Sequence, residues 1–156
     1  MIKGFLTGIG IIGILLSHVT GQAQDSTYVS TKKNMLGIRI SSKDAVVNHA
    51  VTYKHFFKPD IAVEGLFSFT DPGALGFLVE KHKPFGPTGL TWFWGAGLYA
   101  GFGGGRNFGA QGAVGLDMVV PTLPINLSID WKPELNFTKL FSFEPAAVGF
   151  SARFVF

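Results

Sequence analysis

Apolar and polar residues alternate with a period of two over most of this sequence. The clearest run sets Ile125, Leu127, Ile129 and Trp131 against Asn126, Ser128, Asp130 and Lys132. A strand points successive side chains to opposite faces, whereas a helix requires a period near 3.6. The pattern therefore predicts strands with one apolar, aromatic face and one small, polar or charged face.

Eight such runs follow one another from Asn34 to Phe156, and each is about ten residues long. Strands that cross a bilayer have about this length. Proline and glycine separate them, as in 58–60 and 71–73, and 83–89 and 139–145 are predicted loops. Pro133 interrupts the seventh run, so the chain there either forms a bulge or, if these strands cross a membrane, lies outside it. The sequence predicts an all-β domain of eight strands over residues 34–156.

The charged residues within the runs share a face with the small residues, and only Lys81, beside a turn, departs from this rule. Alternation alone does not say which face is inside. In a soluble sandwich the apolar faces would meet in one core and the charged faces would contact water. In a membrane barrel the apolar face would contact lipid. The facing of the fifth run, 91–102, is undetermined because both of its faces are apolar.

The first 23 residues have the pattern of a cleavable signal peptide. Lys3 precedes an uncharged run from Gly4 to Leu16, which is too short to span a bilayer, and a small-x-small ending reaches Ala23. Residues 24–33 then form a polar periplasmic leader. Cleavage removes one of 13 basic residues and none of the 10 acidic ones, which leaves a net charge of +2. This balance does not indicate a nucleic-acid partner, and with no cysteine the domain has no disulfides.

The last run, 148–156, places Phe150, Phe154 and Phe156 on one face and Arg153 on the other. An aromatic final residue after such alternation resembles the C-terminal sorting signal of bacterial outer-membrane barrels. Together with the eight runs and the signal peptide, 34–156 resembles the OmpX and OmpA membrane-domain type. The resemblance implies an eight-stranded antiparallel up-and-down transmembrane β-barrel in the outer membrane of a Gram-negative cell. It also implies that the three phenylalanines are the assembly signal, that the partners are membrane lipid and the barrel assembly machinery, and that the protein is a monomer.

The resemblance turns the charged face inward. The predicted interior charge network consists of Arg39, Lys54, Glu64, Glu80, Asp117, Asp130, Lys132, Glu134 and Arg153. Such a set could form a proton or ion path, but an eight-stranded barrel has room only for its own side chains. Mutual neutralisation is favoured, because buried charges are tolerated when they are paired. Arg39 and Arg153 are expected to share a carboxylate of Asp130, Glu134 or Glu64.

The sequence indicates no enzyme, metal site or cofactor. The histidines His49, His55 and His82 do not have the spacing of a zinc site, and no nucleophile motif occurs. The predicted function is that of an integral outer-membrane barrel with a filled interior, in a structural or surface-interaction role rather than as an open pore. The alternative is a secreted, soluble, lipocalin-like barrel that binds a small apolar ligand within its aromatic face.

Overall fold

The computed structural model describes residues 33–42, 46–71, 73–86, 89–102, 107–138, 142–145 and 147–156. The predicted signal peptide and all of the predicted leader except Lys33 lie outside this range. Within it, no helix is long and apolar enough to cross a membrane.

The described chain is all-β and has ten strands. They are β1 (Asn34–Ser41), β2 (Ala50–Lys58), β3 (Ile61–Ser68), β4 (Gly73–Pro84), β5 (Leu90–Phe102), β6 (Asn107–Val119), β7 (Ile125–Trp131), β8 (Glu134–Asn136), β9 (Ser142–Glu144) and β10 (Val148–Val155). Because β7 with β8, and β9 with β10, each form one interrupted strand, the barrel has eight strands around its wall. This confirms the predicted number.

Each of the eight wall strands pairs antiparallel with its neighbours around the wall: β6 pairs with both β7 and β8, β7 with β10, β8 with β9, and β1 with β10. Pairing of β5 with β6 completes the ring, so the sheet closes on itself. At the seam, the amide of Phe156 donates to the carbonyl of Asn34 at 2.9 Å. Closure pairs the long strands on both sides, so their backbone groups need neither water nor a partner chain, and among the described strands the three-residue β9 pairs on one side alone. The end of the barrel that carries Asn34 and Phe156 is called the Asn34 end below.

The interruption of the seventh strand lies at Lys132 and Pro133. Two residues separate Trp131 from Glu134, whereas three separate their partners Val148 and Glu144 on the last strand. The extra residue is therefore a bulge on the last strand, and the register with β6 continues unbroken. The Gly112 amide donates to the Pro133 carbonyl at 2.9 Å, so the wall stays joined where proline has no N–H to give.

Two predicted loops are shorter than expected. Part of the predicted loop 139–145 is the strand β9, which pairs with β8. In the predicted loop 83–89, the first two residues belong to β4, which ends at Pro84. In the latter turn Gly89 has a φ of 88°, and a Cβ there would lie 2.6 Å from the Val119 carbonyl oxygen. Only glycine fits both the backbone conformation and this close approach.

The structure assigns the two faces of the wall. Large apolar side chains point outward along every long strand, and they include Leu36, Ile38, Phe67, Leu75, Phe77, Leu98, Phe108, Leu116, Ile129, Phe150 and Phe154. In β5, whose facing the sequence left undetermined, Phe93 and Tyr99 are buried and Trp94 and Leu98 are exposed. Lys81 points outward near the Asn34 end and pairs with Asp60 at 3.2 Å.

Candidate functional site in the barrel interior

The interior is filled by charged and polar side chains. All nine residues of the predicted network are almost completely buried, and His82 lies among them. Alternation along the strands places these side chains inside, because each follows an outward apolar residue. Most of these charged side chains pair with a side chain on a strand that is not an immediate neighbour, so the ion pairs depend on which side chains meet across the barrel.

Arg153 is the most highly connected cation. From β10 its guanidinium pairs with Glu64 on β3, which lies across β1 and β2. It also donates to Asn126 at 3.0 Å and to Ser128 at 2.8 Å, and its Nε donates to Thr52 at 3.2 Å. A guanidinium with this many acceptors is fixed in position, and its burial is compensated by hydrogen bonds as well as by charge.

Arg39 has a different partner. Its Nη2 lies 2.6 Å from Oδ1 of Asp130, and its Nη1 donates to the Val47 carbonyl at 3.3 Å. The prediction that Arg39 and Arg153 share one carboxylate is therefore wrong, because each arginine has its own. Because the pairs are separate, the two guanidiniums do not compete for one carboxylate.

Lys132 joins the two pairs. Its ammonium contacts Glu64 and lies 3.6 Å from Asp130, so it bridges the carboxylates that the arginines hold. It is also 3.9 Å from Glu80. A cation between anions lowers the repulsion that the two carboxylates would otherwise exert on each other.

Lys54 organises the part of the interior nearest the Asn34 end. Its ammonium lies 2.8 Å from Glu80 and 3.2 Å from Asp117, and it sits 4.6 Å from the centre of the Phe93 ring. A cation over an aromatic face is attracted to the ring as well as to the carboxylates. The Asn126 amide also donates to Asp117, which links this group to Arg153.

His82 closes the network on the same side. Its Nε2 lies 3.2 Å from Glu80, and its ring stacks on Phe93 with the centroids 5.0 Å apart. Its neighbours depend on β5, whose facing the sequence did not give. Phe56 also contacts the imidazole, edge-on, with the ring centroids 4.8 Å apart.

Glu134 stands apart from the other carboxylates. It accepts hydrogen bonds from the backbone amides of Val46 at 2.7 Å and Val47 at 3.0 Å, so it anchors the loop after β1. No ion pair to Glu134 occurs among the described residues. Glu134, one of the three candidates for a carboxylate shared by the arginines, does not have that role, because backbone amides are its partners.

The charges of the remaining network balance. Four fixed cations, Arg39, Lys54, Lys132 and Arg153, meet four carboxylates, Glu64, Glu80, Asp117 and Asp130. Each ion lies within 4 Å of at least one opposite charge. Such a network pairs the buried charges, and its side chains fill the lumen. It can therefore hold the wall together and block the passage of ions.

The described residues contain no group of three or more histidine, cysteine or acidic side chains placed to hold a metal. A cavity of about 150 Å³ opens at the end opposite Asn34, lined by Val46, Tyr99, Glu134, Asn136, Ser142 and Glu144. This small cavity lies between the network of paired charges and the end opposite Asn34, and it does not pass through the network.

The predicted assembly-signal residues lie on the outside. Phe150, Phe154 and Phe156 are each about half exposed, and the rings of Phe154 and Phe156 stack with centroids 6.3 Å apart. They stand on the strand that closes the barrel against β1. Their outward position makes them accessible to lipid or to another protein.

Comparisons with known proteins give this chain no relative: no protein-family model matches it, and neither does any curated protein or solved structure.

Proposed function

We propose that this protein is an integral barrel of the bacterial outer membrane, of the small OmpX and OmpA type, with a structural or surface-interaction role. The observation that carries the proposal is that charged side chains lie inside and apolar side chains outside, the reverse of a soluble protein. Fully buried charges fill the inside, while leucine, isoleucine, phenylalanine and tryptophan side chains about half exposed cover the outside.

The outward apolar surface is difficult to reconcile with water. The largest apolar patch on a typical soluble monomer covers about 300–600 Å². Here exposed apolar side chains lie on each of the long strands, including Ile38 on β1, Phe77 on β4 and Phe150 on β10. A ring of this kind matches the apolar band of outer-membrane barrels, and strand closure satisfies the backbone groups that lipid cannot.

The filled interior supports a role other than conduction. Arg39, Lys132 and Arg153 reach across the lumen to their partners and occupy the space that a pore would need. An eight-stranded barrel is just wide enough for side chains to fill it. We assign no catalytic activity and no cofactor to the protein.

Orientation and partners follow from the resemblance to outer-membrane barrels. The Asn34 end would face the periplasm and the opposite end the cell exterior. The barrel assembly machinery would recognise Phe150, Phe154 and Phe156, and the folded protein would remain a monomer surrounded by lipid.

The rival function is that of a soluble, lipocalin-like carrier. A carrier needs an apolar interior, and the residues that it would use for this, such as Ile129 and Phe150, lie on the outer surface. The placement of Glu64 and Arg153 inside weighs against an apolar ligand in the lumen.

The test is cell fractionation followed by flotation and gel migration. The proposal expects the protein in the outer-membrane fraction, floating with vesicles, with an unheated band that migrates differently from the heated one. Recovery as a soluble periplasmic protein that binds a fatty ligand saturably and shows no band shift would replace the proposal with the rival.

A further inference from the structure

Three outward lysines lie together on one side of the Asn34 end. Lys58 ends β2, and Lys81 and Lys83 lie near the end of β4. Lys58 pairs in register with Ile61, and Ile61 with Lys81, so the first two lysines are two strand spacings apart, about 10 Å. We call Lys58, Lys81 and Lys83 the lysine face.

One acid accompanies these cations. Asp60 pairs with Lys81 at 3.2 Å, and both side chains are more than two-fifths exposed. Lys58 and Lys83 form no ion pair among the described residues. The lysine face therefore keeps an excess of positive charge that the protein does not neutralise there.

Tryptophans adjoin the same lysines. Lys81 is the register partner of Trp94, and Lys83 is the register partner of Trp92. Indole rings on membrane barrels concentrate at the level of the lipid headgroups. The pairing therefore sets the ammonium groups at the depth of the phosphates, next to the apolar band that Phe77 and Val79 continue.

The positive charge at this end is concentrated on the side of β1 to β4, where exposed Lys33 also lies, its carbonyl bonded to the Phe56 amide. At the same end of the barrel, the turn between β6 and β7 consists of Val120, Pro121, Thr122, Leu123 and Pro124, with no charged residue. General attraction of a membrane protein to an interface would not require this asymmetry. A local ligand of opposite charge accounts for it.

We propose that the lysine face binds the headgroup of an anionic phospholipid in the leaflet at the Asn34 end. This inference rests on the proposed membrane location and adds a lipid preference to it. The phosphate would contact the ammonium groups of Lys58 and Lys83, while the acyl chains lie along the adjacent apolar strands.

The experiment uses the chain's three tryptophans as reporters. In the Trp131→Phe variant, fluorescence reports only Trp92 and Trp94, which adjoin the lysine face. The folded protein is placed in phosphatidylcholine vesicles with increasing amounts of nitroxide-labelled phosphatidylglycerol, or of phosphatidylcholine with the same label. We expect the anionic lipid to be favoured by about fivefold or more, the preference that one lysine near an anionic surface provides.

Charge variants identify the cause. Replacing the lysine face with Lys58→Gln, Lys81→Gln and Lys83→Gln should make the two lipids quench equally, whereas arginine at the same positions should keep the preference. Asp60→Asn should raise it, because it releases Lys81 from its partner. In the Trp92→Phe and Trp94→Phe variant, only Trp131 reports; it lies on β7, three strands around the wall from Lys81, and we expect a weaker preference there.

The outcomes separate the two proposals. Equal quenching of Trp92 and Trp94 by both lipids would overturn the lysine-face site and leave the membrane location intact. A preference unchanged by the glutamine variant would also overturn the site. Absence of quenching by either lipid would contradict the membrane location itself.

Discussion

Arg39 reaches Asp130 by crossing the inner surface of β10 at Gly149. The two ions lie on β1 and β7, which are not neighbours, and β10 runs between them. A Cβ on Gly149 would lie 2.6 Å from Cζ of Arg39, closer than atoms can approach. The missing side chain at position 149 is therefore what makes the pair possible.

The first prediction concerns this crossing. Gly149→Ala should destabilise the folded barrel by about 1–3 kcal/mol, because the added methyl group would overlap the Arg39 guanidinium and push it away from Asp130. Urea titration of the protein in lipid vesicles measures the change. Gly65→Ala is the matched control and should change stability little, since a Cβ there meets nothing closer than 4.0 Å. Equal stability of the two variants would contradict the crossing.

The second prediction concerns Arg153. Arg153→Met removes one of the two cations that pair with Glu64, the other being Lys132, and the same titration should show a loss of roughly 3–5 kcal/mol. Thr52, Asn126 and Ser128 would lose a donor as well.

A double-mutant cycle with Glu64→Gln tests whether this loss reflects the ion pair. With both charges gone, the loss of unfolding free energy in the double variant should be smaller than the sum of the losses in the two single variants. Simple additivity of the two losses would show that Arg153 and Glu64 act independently and that the pair is not the source of the effect.

The third prediction concerns the outer face. Phe154→Arg should destabilise the protein by less than the about 2–4 kcal/mol expected at the bilayer midplane, because Phe154 lies two residues from the Asn34 end. Phe156→Arg, beyond the end of β10, should cost less again. Ser151→Phe, which points into the filled interior, should also destabilise the protein. If Arg153→Met were neutral and both Ser151→Phe and Ala152→Arg were tolerated, the facing of the closing strand would be wrong.

The fourth prediction concerns conduction. Protein incorporated into planar bilayers should give no steady stepwise conductance, because the paired side chains of Arg39, Lys54, Lys132 and Arg153 fill the lumen. Flotation of the same preparation with vesicles shows that the protein has inserted. Reproducible steps from inserted protein would mean that the network opens.

The sequence predicts the wall of this barrel well, because alternation alone determines which side chains share a face. Ile125 and Ile129 are exposed and Leu127 is half-buried, whereas Asn126, Ser128 and Asp130 are buried, as their period of two requires. Alternation fails where both faces are apolar. It could not place Phe93 inside, and so it missed the ring that Lys54 and His82 contact.

Pairing inside the barrel could not be predicted from the sequence. Which inward groups meet depends on strand tilt and on the stagger between strands, and both emerge only when the sheet closes. Arg153 contacts Glu64 across two intervening strands, and Glu134 contacts backbone amides of a loop rather than another charge. The strand β9 was missed because the bulge before β10 shifts the register by one residue.

The most direct test of the account is the environment of a nitroxide label at position 150. Because the chain has no cysteine, Phe150→Cys provides a unique attachment site on the outward face, and the label need not disturb the packed interior. Collisions with oxygen, which concentrates in lipid, and with a water-soluble nickel complex are measured on the protein in vesicles. The account predicts frequent collisions with oxygen and few with nickel. Frequent collisions with nickel and few with oxygen would place this face in water and contradict the account.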